Sequence, residues 1–212
     1  MTLTLTTLAQ AVEWLAARDS SLAHVVQRYG LPPLWPREPG FPTLIHIILE
    51  QQVSLASARA AFERLCAAVT PLTPQNFLTL DDAQLKTIGF SRQKTRYGRE
   101  LASAVLAGQL DLDRLVEWDD ETVRVALKQI KGIGDWTVDV YLLLVLRRPD
   151  AFAPGDLALL LAVQQLKGLE RRPTPAELLA LAESWRPYRA VAARLLWHFY
   201  LREKAVKQKG RV

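Results

Sequence analysis

Residues 127–146, LKQIKGIGDWTVDVYLLLVL, decide how this chain is interpreted. The stretch opens on a polar helix end at 127–130, continues through Lys-Gly-Ile-Gly, and enters a second helix at about residue 136. That second helix is apolar almost all round, which is typical of a helix buried on every side. The two glycines allow a tight turn and let another backbone approach closely. The pattern therefore predicts a helix, a glycine hairpin and a buried helix.

The hairpin has the features of an anion site. Amides at the start of a helix point outward, and the helix dipole favours negative charge there. The amides in question belong to Gly132, Ile133 and Gly134, and Lys128 and Lys131 flank them. This combination is typical of a helix-hairpin-helix element that holds a DNA phosphate, although a plain helix–helix turn with two glycines remains open as the alternative.

The composition agrees with a nucleic-acid partner. The chain has 212 residues, half of them hydrophobic, and a net charge of +5, a bias that nucleic-acid binders share. The single cysteine, Cys66, excludes an intrachain disulfide and a four-cysteine iron–sulfur cluster. The N-terminus resembles no signal peptide, and no apolar run is long enough to span a bilayer. We expect a soluble, monomeric, cytoplasmic protein that joins the nucleoid when it is bound to DNA.

Helical spacing dominates the rest of the chain. Residues 31–40, LPPLWPREPG, carry four prolines and are expected to form an ordered, non-helical linker. The pattern also predicts a short helix at 111–118 and a frayed basic tail from 204 to 212.

Asp156 is the candidate for chemistry. The loop Phe-Ala-Pro-Gly-Asp at 152–156 ends at the start of a helix, and one apolar helix plus this loop separate Asp156 from the hairpin. That spacing can return the carboxylate to the phosphate site. The alternative is an ordinary helix N-cap, for which aspartate is among the preferred residues.

Four motifs in order carry a family resemblance. They are ILEQQVS at 48–54, GFSRQK at 89–94, the hairpin GIGDWT at 132–137, and WRPYR at 185–189 with Trp197 beyond it. With these motifs the chain resembles the helix-hairpin-helix DNA glycosylase superfamily, and within it the 3-methyladenine DNA glycosylase II family. The resemblance covers roughly residues 41–200 and favours the compact form, which lacks the N-terminal α/β domain of some members.

The resemblance implies base excision, in which a damaged base is extruded and its N-glycosidic bond is hydrolysed. Asp156 takes the place of the catalytic aspartate. Trp136 stands where bifunctional members carry a nucleophilic lysine, which implies a monofunctional hydrolase. Trp136, Trp197 and Trp35 are expected to contact a cationic alkylated purine through their aromatic faces, with core packing as the alternative role. Val140 and Leu157 replace family aromatics, which favours a more open pocket.

DNA contacts follow from the same resemblance. Gln52 is expected to fill the space that the extruded base leaves, with a helix C-cap amide as the alternative. Arg92 and Lys94 are expected to contact backbone phosphates. The hairpin would hold a monovalent cation through the carbonyls of Lys128, Ile130 and Ile133, with no other cofactor and no iron–sulfur cluster.

The sequence thus predicts an all-α protein with two helical subdomains and an active-site cleft between them. One subdomain comprises residues 1–40 and 151–212, and the other comprises residues 41–150 with the helix-hairpin-helix at 127–146. The predicted function is a monofunctional glycosylase acting on alkylated purines in double-stranded DNA. A bifunctional glycosylase/lyase and a non-catalytic DNA-binding module are the alternatives.

Overall fold

The computed structural model describes residues 2–209, with side chains up to residue 208. Within that range the chain is all-α and contains no β-strand, which confirms the predicted fold class. Its helices are α1 (Leu5–Ala16), α2 (Ser20–Tyr29), α3 (Phe41–Glu50), α4 (Leu55–Ala68), α5 (Pro74–Leu78), α6 (Asp82–Ile88), α7 (Arg92–Leu106), α8 (Asp120–Lys128), α9 (Asp135–Val140), α10 (Leu157–Leu166), α11 (Pro175–Ala182) and α12 (Arg189–Lys209).

The chain divides into two compact units. Unit 1 comprises Met1–Pro36 with Leu142–Val212, and unit 2 comprises Arg37–Tyr141. These boundaries differ from the expected ones, after residues 40 and 150, and the hydrogen bonds explain why. The Leu3 amide donates to the Arg147 carbonyl at 2.9 Å, and the Ala190 amide donates to the Pro149 carbonyl at 3.0 Å. Residues 142–150 therefore belong with the terminal helices.

In unit 1, α12 packs against α1, α2 and α10. Alanines at 190, 192 and 193 are fully buried, and such small side chains let neighbouring helices come close. Arg194 is also fully buried. Its guanidinium donates to the carbonyls of Leu34 (3.1 Å), Leu143 (2.6 Å) and Ala190 (3.0 Å), and burial lowers its pKa to about 10. One side chain thus ties the proline-rich linker and residues 142–146 to α12.

In unit 2, α3 is the central helix and packs against α4, α7 and α9. Its large aliphatic side chains are buried, namely Leu44, Ile45, Ile47, Ile48 and Leu49. Phe77 fills the space beside α7, where Gly98 leaves room: a Cβ at Gly98 would lie 2.6 Å from the Phe77 ring. This packing holds the end of α3 beside the hairpin between α8 and α9.

Three local predictions need correction. The apolar segment after the hairpin is buried as expected, but α9 ends at Val140 and gives way to a π-helical turn, Tyr141–Val145. The segment at 111–118 forms only a 3-10 turn, Arg114–Val116. The tail from 204 is helical to Lys209, because its lysines and alanine favour helix; the remainder of the expected tail, residues 210–212, lies outside the described residues.

None of the helices in the described part of the chain combines the length and the apolar character that crossing a membrane requires.

Candidate active site and nucleic-acid interface

Asp156 is the N-cap of α10, and its carboxylate is fixed by the helix it caps. Its backbone is extended, with φ −72° and ψ 121°, and its own amide donates to the Ala153 carbonyl at 3.0 Å. Oδ1 accepts the amides of Ala158 (3.0 Å) and Leu159 (3.1 Å). The N-cap alternative is therefore correct as geometry, and it leaves the side chain partly exposed and held in one orientation.

Trp197 is a further donor to this carboxylate. Its indole Nε1 donates to Asp156 Oδ1 at 3.0 Å, although 41 residues separate the two along the chain. Because α10 packs against α12, the two helices carry the carboxylate and the indole to one place. The predicted pair is thus brought together within unit 1, and Trp197 has a role that the sequence did not indicate, which is to orient Asp156.

Trp35 lies in the proline-rich linker of the same unit. Its ring centroid is 6.4 Å from that of His198, the residue after Trp197 on α12. Its φ is +46°, a left-handed conformation that is rare for a bulky residue and is often found at functional sites. The bond from Arg194 to the preceding carbonyl, that of Leu34, helps to hold this strained backbone.

The hairpin in unit 2 uses its two glycines differently. Gly132 has φ +97°, and a Cβ there would lie 2.0 Å from the Tyr97 ring, so no side chain fits. At Gly134 a Cβ would meet nothing within 4 Å, and the backbone is extended. The protein's own packing therefore explains the first glycine and not the second. Close approach of a ligand to the backbone is a physical reason for a glycine at the second position.

Gly134 is also the N-cap of α9 and provides no side-chain oxygen for the first helical amides. Amides left without a capping side chain at a helix start suit an anion such as phosphate. Lys131, at the tip of the hairpin, is exposed. The geometry is thus compatible with the predicted phosphate site.

The acidic residues after the hairpin are neutralised by α8. Arg124 bonds to buried Asp139 at 2.6 Å and lies 3.6 Å from Asp135, while Lys128 bonds to Asp135 at 2.7 Å. Burial raises the pKa of the Asp139 carboxyl, and the bond from Arg124 opposes that rise. Lys128 was expected to flank the anion site, and its ammonium bridges α8 to Asp135, the residue after Gly134.

Trp136 is the second residue of α9 and is partly exposed. It lies two positions after the hairpin glycine Gly134, where the resemblance predicts the lysine of bifunctional members. Trp136 cannot form a Schiff base, because an indole has no primary amine.

The turn that follows α3 carries Gln52, the residue predicted to act as the wedge. Gln51 is the C-cap of α3, so Gln52 is not the capping amide that the alternative required. Gln52 is exposed with φ +58°, and Val53 and Leu55 beside it are 45% and 57% exposed. A strained, exposed turn with apolar flanks is compatible with insertion into a duplex. We call residues 51–54 the wedge turn.

The two basic residues at the start of α7 lie in different environments. Arg92 is exposed, as a phosphate contact requires. Lys94 is half-buried, its Nζ donates to the Leu49 carbonyl at 2.7 Å, and burial lowers its pKa. At least one of its three donor hydrogens therefore serves the end of α3. Sequence reasoning also missed two neighbours of the hairpin: Tyr97, which packs on Gly132, and Gln51.

Comparison with known proteins identifies this arrangement. Residues 45–187 match the family described as HhH-GPD superfamily base excision DNA repair protein. The chain belongs to this superfamily. The resemblance that the four motifs indicated is thereby confirmed.

Several relatives show which members of the superfamily this chain is similar to. YfjP of Bacillus subtilis is 28% identical over 84% of this chain, which spans 65% of that protein. The Schizosaccharomyces pombe protein named DNA-3-methyladenine glycosylase 1 is 30% identical over 76% of this chain and 72% of its own length. A solved structure titled as S. pombe 3-methyladenine DNA glycosylase in complex with abasic DNA matches with a TM-score of 0.84, 28% identity, and coverage of 89% of this chain and 95% of that one.

The two hairpin glycines offer a matched test of the phosphate site. Gly132→Ala should destabilise the protein by at least about 1–3 kcal/mol, because the new Cβ overlaps Tyr97 and the φ is left-handed. Gly134→Ala should change stability by no more than about 1 kcal/mol, since the site is open. It should nevertheless weaken DNA binding, because the methyl group would stand where a phosphate approaches.

Denaturant unfolding and DNA titration measure the two effects on both variants. Undiminished DNA affinity in Gly134→Ala, across a range of salt concentrations, would place the phosphate contacts elsewhere.

Proposed function

We propose that this protein hydrolyses the N-glycosidic bond of alkylated purines, such as 3-methyladenine and 7-methylguanine, in double-stranded DNA. The observation that carries the proposal is the carboxylate of Asp156, held by two backbone amides and the Trp197 indole. Relatives named as DNA-3-methyladenine glycosylases support the substrate class.

The chemistry follows from the charge that develops on the sugar. Cleavage of the glycosidic bond gives the deoxyribose oxocarbenium character, and a fixed carboxylate stabilises that positive charge. Asp156 can also orient or deprotonate the attacking water. Because its bonds to Ala158, Leu159 and Trp197 are already made, the carboxylate needs no reorganisation as the charge appears.

The base itself supplies part of the driving force. Alkylation at N3 or N7 puts a positive charge on a purine, which then departs as a neutral product. Aromatic faces attract such a cation, and we assign this role to Trp136, Trp197 and Trp35. DNA would be held by the amides of the hairpin, by Lys131 and Arg92, and by the remaining donors of Lys94. Gln52 would replace the extruded base.

The hairpin carbonyls of Lys128, Ile130 and Ile133 would hold a monovalent cation. The Ile133 amide donates to the Ile130 carbonyl at 3.0 Å, which folds these residues into one tight turn. Carbonyl oxygens are suitable donors for such a hard cation. Its charge would reinforce phosphate binding there.

Replacement of Asp156 tests the proposal directly. Asp156→Asn should lower the single-turnover rate by about 10²–10⁴, while DNA binding survives because the change removes a negative charge. Stability should change little, since asparagine is an equally good N-cap.

Asp19 provides a matched control for Asp156, because it caps α2 and accepts the Trp185 indole at 3.0 Å. Asp19→Asn should leave the rate intact. Wild-type rates in Asp156→Asn would mean that another carboxylate does the chemistry.

The second prediction separates a hydrolase from a lyase. With Trp136 in the lysine position, the DNA product should carry an intact abasic site and break only after alkali or heat. Borohydride should trap no covalent adduct. A trapped adduct that disappears in Lys131→Ala would instead identify Lys131 as a nucleophile and favour the bifunctional alternative.

The third prediction concerns the roles of two tryptophans. Trp136→Leu should reduce activity roughly 2- to 30-fold more on cationic 7-methylguanine than on neutral hypoxanthine, the range that a cation–π contact provides. Trp197→Phe should reduce both activities alike, because it removes a donor from Asp156. Single-turnover rates on both substrates measure this, with Trp118→Leu as control. Equal losses in Trp136→Leu would exclude the cation–π role.

A further inference from the structure

Gln51 contacts the hairpin with both hydrogens of its side-chain amide. Nε2 donates to the Gly132 carbonyl at 2.9 Å and to the Thr137 hydroxyl at 3.0 Å. Gly132 forms the bend of the hairpin, and Thr137 is buried in α9. One side chain therefore reaches both sides of Gly134, where we place the DNA phosphate.

The backbone of Gln51 belongs to the wedge turn. Its amide donates to the Ile48 carbonyl and ends α3, and Gln52 follows at once in the left-handed conformation. A shift of Gln52 along or across the helix axis must displace Gln51 through the shared peptide. Such a shift would break the bonds to Gly132 and Thr137.

Helix α7 also contacts both the end of α3 beside the wedge turn and the hairpin. Lys94 donates to the Leu49 carbonyl beside the wedge turn, and the Tyr97 ring lies against Gly132. These two residues are three positions apart, on one face of α7. The Gly132 carbonyl thus accepts a hydrogen bond from Gln51, and the Tyr97 ring packs against the backbone of Gly132. These two contacts restrain the conformation of the hairpin.

We propose that Gln51 is a positioning residue that couples base extrusion by the wedge turn to phosphate binding by the hairpin. The proposal rests on the proposed function and deepens it. Extrusion requires the base to be unstacked and unpaired, which costs free energy. The wedge can offset that cost only if the duplex backbone is held in a fixed register. Through Gln51, the hairpin that holds the backbone and the turn that enters the stack move as one body.

The chemistry of the amide explains why glutamine stands there. Both of its contacts are acceptors, a carbonyl and a hydroxyl, so the position calls for two donors. Leucine would leave those acceptors without their partner, and glutamate would set a carboxylate against a carbonyl. Gln52 is the same residue type, but it is exposed and is not part of these contacts.

The test compares base pairs of different strength. Gln51→Leu should lower the single-turnover rate at saturating protein by about tenfold for 7-methylguanine in its pair with cytosine. The loss should shrink when the lesion lies in a mismatch, because extrusion then costs less. Affinity for undamaged duplex should change much less than the rate. Gln75→Leu, at an exposed position on α5, is the matched control.

A second readout follows extrusion without chemistry. In an Asp156→Asn background, 2-aminopurine placed beside the lesion should brighten on binding, and Gln51→Leu should reduce that signal. Thr137→Val removes one of the two acceptors without changing shape and should give a smaller effect of the same kind. Because it alters only one bond, it keeps the test open if Gln51→Leu does not fold.

The outcomes separate the two proposals. If the wild-type protein releases no base from either duplex, the proposed function fails. If the wild type is active and Gln51→Leu loses the same factor on the stable pair and the mismatch, Gln51 is merely structural and the coupling is excluded. A fluorescence signal that neither Gln51→Leu nor Thr137→Val reduces would exclude it as well.

Discussion

Three hydrogen bonds to one oxygen, Oδ1 of Asp156, constrain how the helices of unit 1 pack. Two come from the first amides of α10, so the carboxylate must stand at the start of that helix. The third comes from Trp197, so α12 must pack against α10 in a fixed register. Arg194, one turn before Trp197, anchors α12 to the linker that carries Trp35. The buried guanidinium thus supports both Trp35 and Trp197.

Unit 1 contains a second N-cap aspartate that accepts an indole N–H, and comparing the two shows what distinguishes Asp156. Asp19 caps α2, accepts an indole from Trp185 and is paired with Lys167 at 3.2 Å. Its side chain is 12% exposed, and its bonds to Trp185 and Lys167 outweigh burial and lower its pKa. That carboxylate neutralises a lysine and stabilises the fold. Asp156 has the same cap, the same type of donor and the same intermediate burial, and its position in the sequence, one apolar segment after the hairpin, is what distinguishes it as the catalytic candidate.

Sequence patterns predicted the features that depend on local order. Aspartate before an apolar run indicated the N-cap at Asp156, and the glycine spacing indicated the hairpin. Patterns could not reveal partners that are distant along the chain, such as the Trp197 indole on Asp156. They counted charges without assigning partners, so the ion pair of Lys128 with Asp135 and the bond from Lys94 to the Leu49 carbonyl were not predicted. The family resemblance assigned the wedge to Gln52, but no pattern indicated that the adjacent Gln51 bonds to the hairpin.

The central claim is that Asp156 is held in advance to stabilise positive charge on the sugar. The most direct measurement compares duplexes whose damaged nucleotide is replaced by a cationic pyrrolidine or by a neutral tetrahydrofuran of the same shape. The wild-type protein should bind the cationic analogue at least about 10²-fold more tightly, as transition-state mimics bind, and Asp156→Asn should abolish most of that preference. Equal affinity of the wild-type protein for both duplexes would contradict the account.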